Sequence, residues 1–275
     1  MIKLVAIDLD GTLLTDDKRI SQKNLTMLQK AKEQGVKVVL CTGRPLAAIT
    51  PFIEQLGLNE PGDYSITFNG GLVQKNDTGE ILSKSAMTLE DVQRISQLMI
   101  ELDLPLDVLS EEVVLQLPTS TNHPSIYPEL NGLLTYKPAK LADLTSDGLY
   151  NKVVMAYHQE FLDQQIEKIP AQFKADYEVI KTRSNLLEFM PKGVTKAFGL
   201  DHLAQYLGMT SDEVMALGDE ENDLSMIQYA GMGVAMANAV EKVRQAADYI
   251  TSSNEEDGVA KAVEKFVLKQ RKEVS

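Results

Sequence analysis

Two carboxylates stand two residues apart at the end of a short apolar run near the N-terminus. The run Leu4–Ile7 is followed by Asp8 and Asp10. Side chains two apart at the end of a strand project to the same side, so both carboxylates can face one crevice. Carboxylate oxygens are ligands of Mg²⁺, and a carboxylate can attack phosphorus or transfer a proton. The pair predicts metal-assisted phosphate chemistry, although a lone Asp-X-Asp can also cap a helix.

Three further segments carry residues suited to the same chemistry. The acidic segment from Asp219 to Asp223 follows the apolar residues 214–217, and Lys196 precedes it. Thr42 follows another apolar run at residues 36–40, and a hydroxyl with backbone N–H groups at a helix start can hold a phosphate. Taken singly, these residues are a solvated helix start, a surface lysine and a helix cap. Their common position after strands favours a shared site.

The elements that must position these residues alternate between buried strands and helices. Ser21 is a predicted N-cap for a helix that ends before Gly35, and Pro45 suits the first position of the next helix. After Pro191 the alternation resumes, with a helix from Lys196 and strands at 214–217, 233–235 and 249–250. This order predicts an α/β fold with a doubly wound, Rossmann-like parallel sheet. Such sheets bind ligands outside the carboxyl ends of their strands.

The chain as a whole resembles the haloacid dehalogenase (HAD) superfamily, whose four motifs occur here in order. The first motif, at residues 8–12, implies that Asp8 is the nucleophile and Asp10 the general acid and base, with Mg²⁺ held by Asp8 and the backbone carbonyl of Asp10. The fourth, at residues 218–223, implies that Asp219 is a magnesium ligand and Asp223 a supporting carboxylate. The resemblance therefore implies a Mg²⁺ cofactor and an aspartyl-phosphate intermediate.

The same resemblance implies which residues contact the substrate phosphate. Lys196 matches the third motif and Thr42 the second. The expected contacts are Leu9, Thr42, Gly43, Arg44, Lys196 and Asn222. The match is closer to the Cof-type subfamily, and within it to bacterial sugar-phosphate phosphatases, through segments 61–64, 69–71, 231–239 and 254–260. Members commonly have Gly after the motif lysine, where this chain has Ala197, and we expect only a small local effect.

The periodicity changes between the second and third motifs. Residues 83–189 read as an α+β insert with a helix capped by Thr88, whereas residues 1–82 and 190–275 form a discontinuous HAD-like core domain. An insert at this place is expected to act as a cap that sets substrate specificity and excludes water. Polar candidates within it are His123, Tyr127, Arg183 and Glu188.

Composition restricts the classes of partner. The net charge of -13 argues against nucleic acid and anionic membranes as partners. The single cysteine, Cys41, allows no intramolecular disulfide and no Cys-rich zinc site. No signal peptide or membrane span is expected, so the predicted location is the cytoplasm. The predicted partner is a small phosphorylated metabolite such as a sugar phosphate, bound by a monomer or homodimer.

Three other readings remain open at this stage. A sugar phosphomutase would use the same intermediate and return the phosphoryl group to sugar. A non-catalytic sensor of phosphorylated metabolites would keep the site for binding alone. The third reading treats the acidic clusters as solvated loop charges, and it requires Asp8, Asp10 and Asp219 to lie far apart.

Overall fold

The structure is a computed structural model that describes residues 1–110, 113–132 and 134–269. The chain forms two compact units. One comprises Met1–Lys84 with Thr195–Ser275, and the other comprises Ser85–Val194. We call the first the core unit and the second the cap unit. The role of the cap unit in specificity remains a prediction.

Strands and helices alternate along both core segments. The first core segment contains β1 (Leu4–Ile7), α1 (Gln22–Glu33), β2 (Lys37–Cys41), α2 (Leu46–Leu56), β3 (Tyr64–Thr67), β4 (Leu72–Lys75) and β5 (Ile81–Lys84). The cap unit contains α3 (Leu89–Glu101), β6 (Leu106–Ser110), β7 (Val113–Leu117), α4 (Tyr127–Leu130), β8 (Thr135–Pro138), β9 (Lys152–Ala156), α5 (Gln159–Ile166), α6 (Ala171–Asp176), β10 (Tyr177–Arg183) and β11 (Leu186–Pro191). The second core segment contains α7 (Lys196–Tyr206), β12 (Val214–Gly218), α8 (Leu224–Tyr229), β13 (Met232–Ala235), α9 (Glu241–Ala246), β14 (Tyr249–Ile250) and α10 (Gly258–Val263).

The core sheet has the strand order β14-β13-β12-β1-β2-β3-β4-β5. Its first six strands in this order are parallel, and β4 and β5 form antiparallel pairs at one edge. β1 lies between β2 and β12, so the order reverses at β1, which is the switch point where such sheets bind ligands. Every residue of β1 is buried, as expected for a strand covered on both faces. The predicted doubly wound α/β fold is confirmed.

The cap sheet has the order β10-β11-β9-β6-β7-β8, with antiparallel pairs except between β7 and β8. Alternate strand residues, such as Val108 and Val153, pack with Val92 and Ile95 of α3 in one apolar cluster. The intervening positions on the other face include two buried charged side chains. Lys152 of β9 donates to Glu188 of β11 at 2.5 Å.

Local sequence signals place most helix starts correctly, with one exception. Ser21 accepts a hydrogen bond from the N–H of Asn24, and Thr88 accepts one from Asp91 in a capping box. Pro45, predicted at the first helical position, is instead the residue before α2, because its ψ of 162° is extended. Within the described residues no helix combines the length and apolarity needed to cross a bilayer.

Candidate active site

The carboxyl ends of β1 and β12 bring together three carboxylates. Asp8 follows β1, and Asp219 and Asp223 follow β12. One oxygen of each lies within 4.8 Å of the others, and all three residues are buried. Asp223 Oδ2 accepts hydrogen bonds from the N–H groups of Asp219 (2.8 Å) and Glu220 (3.0 Å). The reading in which these are separate solvated loop charges therefore fails, because Asp8 and Asp219 meet in one buried cluster.

Lys196 supplies the positive charge of this cluster. Its Nζ lies 2.5 Å from Asp8 Oδ1 and 2.5 Å from Asp223 Oδ1, and the side chain is fully buried. The residue opens α7, whose N-cap Thr195 accepts from Phe198 N–H. Gly70, at φ +98°, packs so closely that a Cβ there would lie 1.9 Å from the Thr195 carbonyl oxygen. The loop after β3 thus fixes the start of the helix that carries Lys196.

The cluster holds more negative than positive charge. Burial raises the pKa of Asp8 to about 7 against the opposing influence of Lys196. Burial and the neighbouring Asp8 and Asp223 carboxylates raise the pKa of Asp219 to about 9. The paired carboxylates raise the pKa of Lys196 above its ordinary value against the effect of burial. Three carboxylates facing one ammonium therefore favour either bound protons or a cation.

This donor set fits a divalent cation with oxygen ligands. Asp8 and Asp219 present buried carboxylate oxygens in one cluster, and burial together with the neighbouring carboxylates raises the pKa of both. Asp223 already accepts hydrogen bonds from Lys196 and two backbone N–H groups, which suits the supporting role predicted for it. A Mg²⁺ ion would be held by Asp8 and Asp219, with Asp223 behind them.

Asp10, the predicted general acid and base, lies outside the group of three carboxylates. Arg44 binds it in a bidentate pair, Nε to Oδ2 at 3.0 Å and Nη2 to Oδ1 at 2.7 Å, and Lys18 Nζ lies 2.7 Å from Oδ1. Arg44 was predicted from the resemblance to contact phosphate, whereas here its guanidinium contacts Asp10. Lys18 was not predicted, because its approach depends on the fold of the loop at residues 15–19.

The predicted phosphate contacts that follow β2 and β12 are joined through Asn69. Asn222 Nδ2 donates to Asn69 Oδ1 at 3.1 Å, and a Cβ on Gly43 would lie 2.9 Å from the same oxygen. Thr42 is buried, and its Oγ1 accepts from Arg44 N–H at 3.2 Å. Asn69 was missed as a site residue because Asn-Gly-Gly reads as a hairpin turn, although its position after β3 was a usable signal.

Two further residues of the first motif differ in what they can contribute. The side chain of Leu9 is buried in the apolar core, so only its backbone can contact a phosphate. Thr12, to which no role was assigned, donates from Oγ1 to Asp219 Oδ1 at 2.7 Å. This bond orients the Asp219 carboxylate across 207 residues of sequence.

The loop that follows Asp8 is held in place by hydrogen bonds from residues 238–255. Asn238 Nδ2 donates to the Gly11 carbonyl at 2.8 Å, and its Oδ1 accepts from Asn254 N–H at 3.1 Å. Asn254 Nδ2 donates to the Leu14 carbonyl at 3.1 Å, and Glu255 accepts from Asp16 N–H at 2.6 Å. We call residues 238–257 the fastening segment, since it holds the loop that carries Asp10.

Substitution of Gly11 would show how tightly the loop that follows Asp8 packs against Asp219. Its φ is +79°, and an added Cβ would lie 2.2 Å from Asp219 Oδ2. Gly35 has nearly the same φ, +78°, with open space around its Cβ position. Gly35→Ala should lower the free energy of unfolding by about 1–2 kcal/mol through backbone strain alone. Gly11→Ala should lower it by about 1–3 kcal/mol more because of the clash, measured by urea unfolding. Equal effects of the two variants would contradict this packing.

The fold and the cluster together define a class before any relative is considered. A buried carboxylate paired with a buried lysine, beside an acidic pair at the switch point of a doubly wound sheet, is a residue set suited to hydrolysis of phosphate esters. The family model for haloacid dehalogenase-like hydrolases matches residues 5–263. The chain belongs to this family.

Individual relatives extend over nearly the whole chain. A Streptococcus pyogenes serotype M6 protein, provisionally named a phosphatase, is 39% identical and aligns over 97% of this chain and 99% of its own length. The Bacillus subtilis 5-amino-6-(5-phospho-D-ribitylamino)uracil phosphatase YitU is 32% identical and aligns over 96% of this chain and 97% of its own length. The solved structure of the HAD subclass IIB sugar phosphatase BT4131 is 26% identical in sequence. It superposes with a TM-score of 0.81 and covers 96% of this chain and 98% of its own. The predictions of the HAD family and of a phosphatase-type hydrolase are confirmed.

The polar cap residues suggested by the sequence lie in different surroundings. They are His123, Tyr127, Arg183 and Glu188. Glu188 is buried in its ion pair with Lys152, so it stabilises the cap sheet. His123 stacks on Phe161 with ring centroids 4.0 Å apart. Packing within the cap unit therefore accounts for these two.

Proposed function

We propose that this hydrolase is a Mg²⁺-dependent phosphatase of small phosphate monoesters, sugar phosphates above all, acting through an aspartyl-phosphate on Asp8. The observation that carries the proposal is the buried contact between Asp8 and Lys196 beside Asp219 at the switch point of the sheet. The likeness to a solved sugar phosphatase supports the substrate class.

Each residue has a distinct part in the proposed reaction. Asp8 attacks phosphorus in line, and the bond from phosphorus to the ester oxygen breaks as Asp10 protonates the departing alcohol. Asp10 then takes a proton from water, whose oxygen attacks the phosphorus of the aspartyl-phosphate and frees Asp8 and inorganic phosphate. Lys196 neutralises charge on Asp8 and on the transferred group. A Mg²⁺ ion held by Asp8 and Asp219 would supply further positive charge beside the transferred group.

The phosphate itself is expected to lie among the groups that follow β1, β2 and β12. Asn69 links three of these residues: its N–H donates to the Thr42 carbonyl, and its Oδ1 lies beside Gly43 and accepts from Asn222. The backbone of Leu9 adjoins Asp8 directly. Arg44 would serve here mainly by holding Asp10, because its two hydrogen bonds go to that carboxylate.

Phosphate release from a panel of esters tests this function. The panel should contain hexose and pentose phosphates and 5-amino-6-(5-phospho-D-ribitylamino)uracil, the substrate that names the relative YitU. Release that requires Mg²⁺ and stops with EDTA is expected. Isomerised sugar phosphate without release would favour a phosphomutase. Binding without either reaction would favour a sensor.

Asp10→Asn separates the acid and base role from binding. The amide keeps the size and hydrogen-bonding oxygen of the side chain but cannot transfer a proton. We expect turnover to fall by about 10² to 10⁴-fold, with substrate binding largely kept. Steady-state phosphate release and equilibrium binding of the same ester measure the two effects. Near-native turnover would refute the role of Asp10.

The effect of Mg²⁺ on stability should depend on pH. Because the folded-state pKa of Asp219 is raised from 3.8 to about 9, the metal-free fold binds extra protons and loses stability as pH rises between these values. A cation must displace those protons. The rise in melting temperature caused by Mg²⁺ should therefore be larger at pH 8.5 than at pH 6. Asp219→Asn should remove most of this rise, and a rise independent of pH would contradict the assignment.

A further inference from the structure

The turn that follows β3 has three successive residues with a positive φ. Phe68 has a φ of +51°, Asn69 of +55° and Gly70 of +98°. We call residues 68–70 the β3 turn. A positive φ is uncommon outside glycine, and for a bulky residue such as phenylalanine it is an outlier. Such strain persists only where surrounding contacts impose it, and it is concentrated at functional sites.

The β3 turn contacts all three segments that are expected to supply side-chain contacts to phosphate. The N–H groups of Phe68 and Asn69 donate to carbonyls within residues 42–44, the segment after β2, at 3.3 and 3.0 Å. Gly70 packs against the start of α7, the helix that begins with the motif lysine. The side chain of Asn69 accepts a hydrogen bond from Asn222, which follows β12. The strained backbone is thus fixed by contacts with three separate parts of the core unit.

Asn69 is placed to act on its neighbours and not on a ligand directly. Only 1% of its surface is exposed. Its amide packs against Gly43, where an added Cβ would lie 2.9 Å from Oδ1 and 3.2 Å from Nδ2, so the amide is held in place. Asn222, in contrast, is partly exposed. An effect of the Asn69 side chain on a bound phosphate would therefore pass through Asn222.

The hydrogen bond between the two amides decides which way the Asn222 amide faces. A side-chain amide has donors on its nitrogen and an acceptor oxygen, and its terminal torsion is broad and roughly two-fold. Because Asn69 Oδ1 can only accept, it selects the orientation that places Asn222 Nδ2 beside it, at 3.1 Å. The opposite orientation would bring two oxygens together. Nδ2 carries two hydrogens, so a second N–H can be donated to a phosphate oxygen.

We propose that Asn69 is a positioning residue of the phosphate site, which holds the Asn222 amide with an N–H and not its carbonyl oxygen toward the phosphate. The inference rests on the proposed function, because it takes Asn222 as a phosphate contact. Without the Asn69 side chain, the Asn222 amide would turn between two orientations, and in one of them its oxygen would repel the anion. An amide that is ordered in advance also loses less entropy on binding.

Two substitutions of Asn69 separate positioning from support of the fold. Asn69→Gly and Asn69→Ala both remove the amide, but glycine adopts a positive φ readily, whereas alanine keeps the strain. Asn69→Ala should therefore melt at a lower temperature than Asn69→Gly in EDTA. Both variants should show the same rise, about two- to tenfold, in the Kd of inorganic phosphate with Mg²⁺ and in the KM for an ester, with kcat changed less. A KM that follows the melting temperature, or a Kd that does not change, would overturn the proposal.

A double variant tests whether Asn69 acts through Asn222. Asn222→Ala should raise the Kd of inorganic phosphate by about ten- to a hundredfold, because a hydrogen bond to a charged group is lost. Asn69→Gly should add little to this rise when the two changes are combined. Asp103→Gly is the matched control, since it also removes a polar side chain at a positive φ, +51°, but within the cap unit. It should leave the Kd unchanged. Additive effects of the two substitutions, or an equal rise in the control, would overturn the proposal.

The native protein separates failure of this inference from failure of the proposed function. If it neither releases phosphate from the ester panel nor binds inorganic phosphate with Mg²⁺ by calorimetry, the proposed function fails and the role of Asn69 fails with it. If it does both, while Asn69→Gly binds phosphate as tightly as the native protein, only the role of Asn69 fails.

Discussion

Asp8→Asn should abolish measurable hydrolysis, with a fall in kcat of about 10⁴ to 10⁶-fold, the range seen when a covalent nucleophile is removed. The amide oxygen is a poor nucleophile and a weaker metal ligand than the carboxylate. No phosphoenzyme should be trapped by rapid acid quenching and mass spectrometry, whereas the native protein should gain the mass of one phosphoryl group at Asp8.

Loss of activity in Asp8→Asn should not come from loss of the fold. Asn is isosteric and removes a buried charge, while Lys196 keeps its contact with Asp223. The melting temperature in EDTA should therefore stay close to that of the native protein. Asp63→Asn is the matched control, because Asp63 is also buried but precedes β3, at the amino end of the sheet. Near-native turnover in Asp8→Asn would exclude Asp8 as nucleophile.

Lys196→Met should damage both stability and catalysis. The ammonium is the shared partner of Asp8 and Asp223, and all three side chains are buried. Removing one partner of a buried ion pair costs about 3–5 kcal/mol, and losing a cation at the transferring group costs about 10² to 10³-fold in kcat. Urea unfolding in EDTA and phosphate release measure the two losses.

A double variant separates these two roles of Lys196. The double variant Lys196→Met/Asp223→Asn also removes one of the two carboxylates that lose their positive partner. Part of the lost stability should therefore return, while activity stays low. Lys32→Met is a second control, because Lys32 pairs with the buried Asp63 but is itself partly exposed. This variant should lose less free energy of unfolding than Lys196→Met. No recovery of stability in the double variant would contradict the charge balance described for the cluster.

The sequence predicts which residues meet at the site, because hydrophobic periodicity and the order of strands and helices can be read from local sequence. Buried runs before Asp8, Thr42 and Asp219 place all three at one edge of a parallel sheet, and the structure has them there. A change of pattern in the sequence also predicts where the cap is inserted. Such features need only the geometry of strands and helices.

Side-chain pairings across the site were not predictable in the same way. Thr12 donates a hydrogen bond to Asp219, and Arg44 and Lys18 both pair with Asp10. These contacts depend on loop conformations and rotamers. These conformations follow from contacts distant in sequence, so motif spacing carries little information about them. Asn69 was legible in principle, because it follows a strand of the same sheet.

The fastening segment has a consequence for synthesis on the ribosome. Domains generally fold as units, beginning at the N-terminus while the chain is still being made. Here the proposed nucleophile is residue 8, yet the loop behind it is completed by Asn238, Asn254 and Glu255. In a nascent chain Asp8 is therefore synthesised long before the residues that complete the loop behind it. Premature termination before residue 238 would leave fragments without the completed loop, and we expect such fragments to be inactive.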